Sequence, residues 1–270
     1  MARFDVTFSS YSLFRDVEIT VIVPSMTIVD MMNANGAPVH HGPAAPFPVV
    51  YLLHGFGNNR NGWLNYTNVQ MYAEERHIAI VTISAENKAY LDQKADRFFR
   101  FVSEELPEFV TGMFPISKRP EDTYIAGLSM GGFGTLIHGL SNPEKYCAMG
   151  PLSAAPRLST AFAETYGRGA DAAPENPADV KVVDALDAAR KNHELGKKFP
   201  KIYMACGKND FLYEENVKTR DALQELGIDV TWEELDGYAH EWRFWNLEIE
   251  RFLDWLPRTD AYADMPKTGV

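Results

Sequence analysis

The sequence predicts an α/β protein with a mostly parallel central sheet and helices on both of its faces. Strand-like and helix-like segments alternate from residue 47 onward. Several strands, among them Phe47-Pro-Val-Val-Tyr-Leu-Leu53 and Ile78-Ala-Ile-Val-Thr-Ile-Ser84, are apolar at odd and even positions alike. A strand apolar on both sides is covered on both sides, which is the condition of a parallel strand flanked by helices. No linker divides the chain, and 270 residues fit one large α/β domain.

The elements follow in order. Val17-Glu-Ile-Thr-Val-Ile-Val23 is largely apolar and stops at Pro24, which predicts a strand. Residues 24–46 hold four prolines, two glycines and two histidines, the mark of a long surface connection or a broken hairpin. Strand 47–53 runs into His54-Gly55, a short helix is expected from Asn68 to Arg76, and strand 78–84 follows. Phe98, Phe101, Val102, Phe109, Val110 and Met113 fall on one helical face, with Pro107 imposing a kink or a division into two helices. Thr123-Tyr-Ile-Ala126 predicts a short strand. Phe133, Leu136, Ile137 and Leu140 then recur at helical spacing. Tyr146 to Leu152 is a further candidate strand. Residues 156–180, rich in Ala, Pro, Gly and Asp without a period, are the candidate cap or variable loop. A helix from Asp184 to Leu195 stops at Gly196. Strand Lys201 to Cys206, a helix ending at Gly227 and strand Val230 to Leu235 come next. Trp242, Trp245, Ile249, Phe252, Leu253 and Leu256 mark an amphipathic final helix.

Bulk properties exclude several function classes. With 46% hydrophobic and 23% charged residues the chain reads as an ordinary globular protein. A formal net charge of −11 argues against nucleic acid and anionic membrane surfaces as partners. No apolar run reaches transmembrane length, and the first residues lack the apolar core of a signal peptide. Cys147 and Cys206 have no metal-like spacing, and two buried thiols in a reducing compartment are expected. Together these predict a cytoplasmic protein, with a homo-oligomer as one option.

The chemistry begins at Ala126-Gly-Leu-Ser-Met-Gly-Gly-Phe-Gly134, which contains the pattern G-x-S-x-G. The pattern alone arises by chance in roughly one chain of this length in ten. Its context decides: Ser129 falls between a predicted strand and a predicted helix, where a nucleophile elbow must lie. So tight a turn forces the serine backbone into an unfavourable conformation. It also presses the residues two places either side against their surroundings, so Gly127 and Gly131 carry no Cβ. The outcome is an exposed hydroxyl at a helix N-terminus, whose partial positive charge stands beside it. A turn that merely connects two elements is the bland alternative.

A serine nucleophile needs a base, and after an elbow the chain order is serine, acid, histidine. Of the seven histidines only His193 and His240 follow Ser129. His193 lies in a charged helix and reads as a surface residue. His240 lies in Asp236-Gly-Tyr-Ala-His-Glu-Trp242, between the last strand and the last helix. The acid that fixes its tautomer is expected at Asp210, just past strand 201–206, because strand ends at the carboxyl edge converge on one crevice. Asp236 is the rival, near His240 in sequence, whereas Asp184, Asp187, Asp221 and Asp229 belong to or adjoin helices. For the oxyanion, one donor is the amide of Met130. The second comes from His54-Gly55-Phe56-Gly57, with Phe56 first and Gly57 as its rival. His54 is expected to support that loop by hydrogen bonding.

The segments "YLLHGFGNNRNGW", "EELPEFV", "YIAGLSMGGFGTL", "CGKNDFLYEEN" and "GYAHEWRFW" together resemble the esterase D-like branch of the α/β-hydrolases over about residues 47–256. That branch includes S-formylglutathione hydrolases and tributyrin, acetyl-xylan and feruloyl esterases. "HGFGNNRNGW" is most similar to the tributyrin and cinnamoyl type, whereas S-formylglutathione hydrolases usually carry a cysteine-containing sequence after the HG pair. The resemblance implies an α/β-hydrolase fold, Ser129, Asp210 and His240 as triad, and the Phe56 and Met130 amides as oxyanion hole. It implies no cofactor or metal.

The expected function is a serine carboxylesterase acting on short-chain acyl or aryl esters of the acetyl or feruloyl type through an acyl-enzyme. A thioesterase such as an S-formylglutathione hydrolase would use the same elbow. A non-catalytic binding protein of this fold would normally lack a triad member. Trp63, Phe133, Phe211, Tyr238 and Trp242 lie near these motifs; most are expected in the core and one or two at the crevice.

Overall fold

The computed structural model describes residues 1–93, 96–159 and 181–269. Its centre is an eight-stranded sheet. Strands β1 (Ala2–Ser10) and β2 (Arg15–Val23) form an antiparallel hairpin in which Ala2 pairs with Val23 and Ser10 with Arg15. Six strands follow: β3 (Val49–Leu53), β4 (Ala79–Ile83), β5 (Thr123–Leu128), β6 (Ala148–Leu152), β7 (Lys201–Gly207) and β8 (Val230–Leu235). The order across the sheet is β1-β2-β4-β3-β5-β6-β7-β8. From β4 to β8 every pairing is parallel, and β2 joins β4 antiparallel. The fold is that of the α/β-hydrolases.

The alternation of side chains explains the doubly apolar strands. Val49, Tyr51 and Leu53 of β3 enter one core with Val81, Ile125 and Met149. Val50 and Leu52, one residue out of phase, enter the other with Ile80, Tyr124 and Ala126. The first core is closed by residues of α4 (Phe98–Arg100, Phe101–Glu105 and Leu106–Met113), α5 (Met130–Ser141), α6 (Ala185–Glu194) and α7 (Tyr213–Glu225). The second is closed by Trp63 of α2 (Gly62–Tyr66), by α3 (Val69–Glu75) and by the apolar face of α8 (Trp242–Trp255).

Four local features depart from the sequence-based expectations or sharpen them. Ala2–Ser10 is a strand, although only β2 was expected in this part of the chain. Within 24–46, Ile28–Asn33 (α1) forms one helical turn and a half, started by a capping box in which Thr27 and Asp30 exchange hydrogen bonds. Around Pro107 the helix divides into α, π and α stretches, with the proline at the start of the last one. The wider π turn also carries Glu105 inward, where it accepts hydrogen bonds from Ser10 Oγ (2.8 Å) and the amides of Tyr11 (2.7 Å) and Ser12 (2.8 Å). That buried carboxylate pins the β1–β2 turn. Cys206 is buried but Cys147 is half-buried, so only one thiol is as enclosed as expected; both are free. Of the expected cap at 156–180, residues 160–180 lie outside the described residues, and Arg157–Ser159 pairs antiparallel with Val182–Asp184. No helix among the described residues is long and apolar enough to cross a membrane.

The strand order places the site. After β3 the chain turns to one side to build β4 and then returns past β3 to build β5. The loops leaving the carboxyl ends of β3 and β5 therefore diverge, and a crevice opens between them.

Candidate active site

Ser129 stands at this crevice, between the end of β5 and the first residue of α5. Its φ of 55° and ψ of −115° lie in a region that L-residues rarely enter. The conformation is held from both sides. The Ser129 amide donates to the Leu152 carbonyl at 3.0 Å, and its own carbonyl accepts from Phe133 (3.0 Å) and Ala155 (3.3 Å). The flanking glycines are required by contact. A Cβ on Gly131 would stand 2.6 Å from the His54 carbonyl oxygen, and one on Gly127 would stand 2.6 Å from the Gly131 carbonyl carbon. Helix α5 can start this close to β3 only with both side chains absent.

The neighbouring strand ends supply the rest. Asp210 follows β7 and is buried, while His240 follows β8 and is partly exposed. His240 Nδ1 and Asp210 Oδ2 are 2.8 Å apart. The other carboxylate oxygen accepts from the Leu212 amide at 2.9 Å. Burial pushes the Asp210 carboxyl up, but the hydrogen bond from His240, the Leu212 amide and the Ser153 hydroxyl together outweigh it and hold the group below the ordinary value. An ionised Asp210 fixes the proton of the neutral imidazole on Nδ1 and turns Nε2, with its lone pair, the other way. The ring is also held by packing. Trp245 meets it edge-on at 4.9 Å and Phe211 packs at 4.7 Å. Trp245 Nε1 donates to Ser153 Oγ at 3.1 Å, so one tryptophan braces both the histidine and the hydroxyl beside its acid.

The rival acid is placed elsewhere. The Asp236 side chain is 88% exposed and pairs with Lys208 at 3.3 Å. Asp184 caps α6, and Asp187, Asp221 and Asp229 pair with surface cations. His193 is exposed on α6.

The loop after β3 lies directly against the serine: a Cβ on Gly55 would be 3.5 Å from Ser129 Cβ. His54 is buried, and its Nε2 accepts from the Ala85 amide at 2.9 Å. Nδ1 therefore carries the proton and donates to the Gly55 carbonyl at 2.7 Å. Burial pushes the His54 pKa down to about 4, so it stays neutral and structural, with both nitrogens engaged. Tyr90 donates its hydroxyl to the His54 carbonyl at 2.8 Å, and Trp63 Nε1 caps the Leu53 carbonyl at 2.9 Å. The Gly57 amide donates to Asn87 Oδ1 at 2.7 Å, which occupies the rival oxyanion donor. Met130 opens α5, so its N–H has no partner within the helix.

Among the aromatics near the motifs, Trp63 and Phe133 are core residues and Phe211 is 77% exposed beside His240. Tyr238 and Trp242 are half-buried, and the Trp242 ring stacks on Tyr66 at 5.0 Å. Sequence reasoning missed Ser153, Asn87 and Tyr90, which touch the site from segments without a motif.

Known proteins share this arrangement of chain. The Esterase family model matches residues 26–255. An acetyl esterase of Caldicellulosiruptor saccharolyticus is 35% identical over 223 residues, covering 77% of this chain and 83% of the relative. Among solved structures, the substrate-bound fluorophosphonate-binding serine hydrolase F of Staphylococcus aureus superposes with a TM-score of 0.80 at 25% identity, over 96% of this chain and 99% of that one. An S-formylglutathione hydrolase of the same organism has a TM-score of 0.75 at 24% identity, over 94% and 98% of the two chains.

Proposed function

Because the chain belongs to the Esterase family of serine hydrolases and acts on carboxylic esters, we propose that Ser129, Asp210 and His240 are its triad and that short acyl esters are its substrates. The observation that carries the assignment is the contact of Asp210 with His240 at 2.8 Å, across the carboxyl edge of the sheet from a serine whose backbone is forced to φ 55°.

The steps follow from the groups. His240 Nε2 takes the hydroxyl proton as Ser129 Oγ adds to the ester carbonyl carbon. The carbonyl π pair moves onto oxygen, and the amides of Met130 and Phe56 donate to that oxyanion. Asp210 stabilises the imidazolium that this creates. When the oxyanion collapses, the bond to the alcohol oxygen breaks and His240 returns the proton to the leaving alcohol. Water then adds to the acyl-enzyme by the same route, giving the acid and free Ser129. Asp210, held below the ordinary carboxyl value, stays ionised throughout the neutral range and so keeps a carboxylate against His240 Nδ1.

The relative that acts on acetyl esters supports a small acyl group. The exposed Phe211 ring beside His240 offers an apolar contact where the alcohol receives its proton, which supports aryl or apolar alcohols. The test is a comparison of kcat/KM for p-nitrophenyl acetate, butyrate and octanoate, methyl ferulate and S-formylglutathione, with Ser129→Ala as blank. The reading expects acetate or butyrate above octanoate and above the thioester. A preference for S-formylglutathione would make the protein a thioesterase, and turnover by Ser129→Ala would end the triad assignment.

A further inference from the structure

The loop that follows β3 is steered by a segment to which the reaction gives no part. Residues Gly55 to Asn58 form a turn closed by the Asn58 amide on the Gly55 carbonyl (3.3 Å), with Gly57 at φ 76°. A positive φ at the third residue is the mark of a type II turn. Types I and II differ by a flip of the central peptide, here the one joining Phe56 to Gly57, and the flip reverses where its N–H and carbonyl point. Asn87 Oδ1 holds the N–H of that peptide at 2.7 Å. The peptide on the other side of Phe56 is held through the Gly55 carbonyl, which meets His54 Nδ1 at 2.7 Å.

Asn87 is itself presented at a conformational cost. Glu86 (φ 48°), Asn87 (φ 56°), Ala89 (φ 53°) and Tyr90 (φ 58°) are all left-handed, and none is glycine. Such a run persists only where its surroundings over-determine it. Here the determinants converge on one loop: the Ala85 amide on His54 Nε2, the Tyr90 hydroxyl on the His54 carbonyl, and Asn87 on Gly57.

We propose that Asn87 is a positioning residue for the oxyanion hole: its carboxamide oxygen locks the Phe56–Gly57 peptide, so that Phe56 and not Gly57 supplies the amide that pairs with Met130. The inference rests on the esterase reading above. Asn87 touches no reacting atom, and its effect belongs to the transition state rather than to substrate binding.

The test uses Asn87→Gly, Asn87→Ala and Asn87→Asp in the full chain. Glycine removes the acceptor while tolerating φ 56°, so its fold is not strained, and aspartate keeps an acceptor in the same place. Wild-type turnover of p-nitrophenyl acetate is the control for the esterase reading itself. Given that turnover, Asn87→Gly and Asn87→Ala are expected to lower kcat about ten- to hundredfold with KM nearly unchanged. A trifluoromethyl ketone, which forms a tetrahedral oxyanion on the serine, should lose affinity by the same factor. Asn87→Asp should recover most of kcat. The proposal is overturned if Asn87→Gly keeps wild-type kcat and ketone affinity, if the loss falls on KM alone, or if Asn87→Asp is as impaired as Asn87→Gly. An inactive wild-type enzyme would instead strike the esterase reading.

Discussion

Two buried imidazoles make the fold acid-labile in a defined window. His54 and His138 are 1% and 0% exposed, and burial pushes their pKa values down from 6.5 to about 4 and about 3. Well above pH 6.5 both are neutral in the folded and unfolded states, so neither changes stability there. Below it the unfolded chain takes up their protons while the folded chain refuses them. Stability is therefore lost as pH falls from the unfolded value toward the folded one. At pH 5 this amounts to about 2 kcal/mol for each histidine, or about 4 kcal/mol for the pair. The burial of His77 acts in the same direction, and that of Glu248, whose carboxyl is raised, acts against it. The variant His138→Gln isolates one contribution, because its amide nitrogen can still donate to the Tyr90 carbonyl that His138 Nε2 meets at 3.2 Å. Urea unfolding at pH 7.5 and pH 5 should show the wild type losing about 2 kcal/mol more than His138→Gln. Equal losses in the two proteins would refute the claim that His138 is held neutral.

Other consequences concern the elbow and the acid. Gly131→Ala drives a methyl to 2.6 Å from the His54 carbonyl oxygen. It should cost about 3 kcal/mol in stability, the upper end of ordinary overpacking, and should lower kcat more than tenfold (roughly) by displacing Ser129. Thermal melting and ester turnover on the same preparation check both parts. Asp210→Asn should leave the melting profile intact and reduce kcat by about 10⁴, whereas Asp236→Asn, at an exposed site paired with Lys208, should stay within about twofold of wild type. Equal losses in the two variants would return the choice of acid to Asp236.

The parts of the fold legible in the sequence are those where one physical constraint dominates. Strands β3 and β4 announce themselves because both of their faces are buried, so no charged residue interrupts them. The elbow is legible because two backbone contacts permit nothing larger than hydrogen at Gly127 and Gly131. Asp210 and His240 are legible because strand ends at one sheet edge must converge. The hairpin strand Ala2–Ser10 is hard to read in the sequence because, as an edge strand, it covers only part of one face; Phe4, Val6 and Phe8 alternate there as a weak signal. The capping pair Thr27 and Asp30 was a second weak signal. Around Pro107 the sequence shows that something must yield, but not that the helix widens into a π turn from which Glu105 reaches the hairpin. Nothing in Ala85 to Tyr90 marks its role, because left-handed asparagine and tyrosine are selected by distant hydrogen bonds rather than by local propensity.

The most direct test of the central claim is covalent. A fluorophosphonate probe offers a phosphorus that a triad serine attacks, displacing fluoride, and the adduct stays in place. Intact-mass measurement should show one adduct per chain, with the label on the peptide containing Ser129 and no labelling of His240→Ala on the same timescale. A chain that remains unlabelled while folded, or one labelled at another residue with ester turnover preserved in Ser129→Ala, would contradict the account.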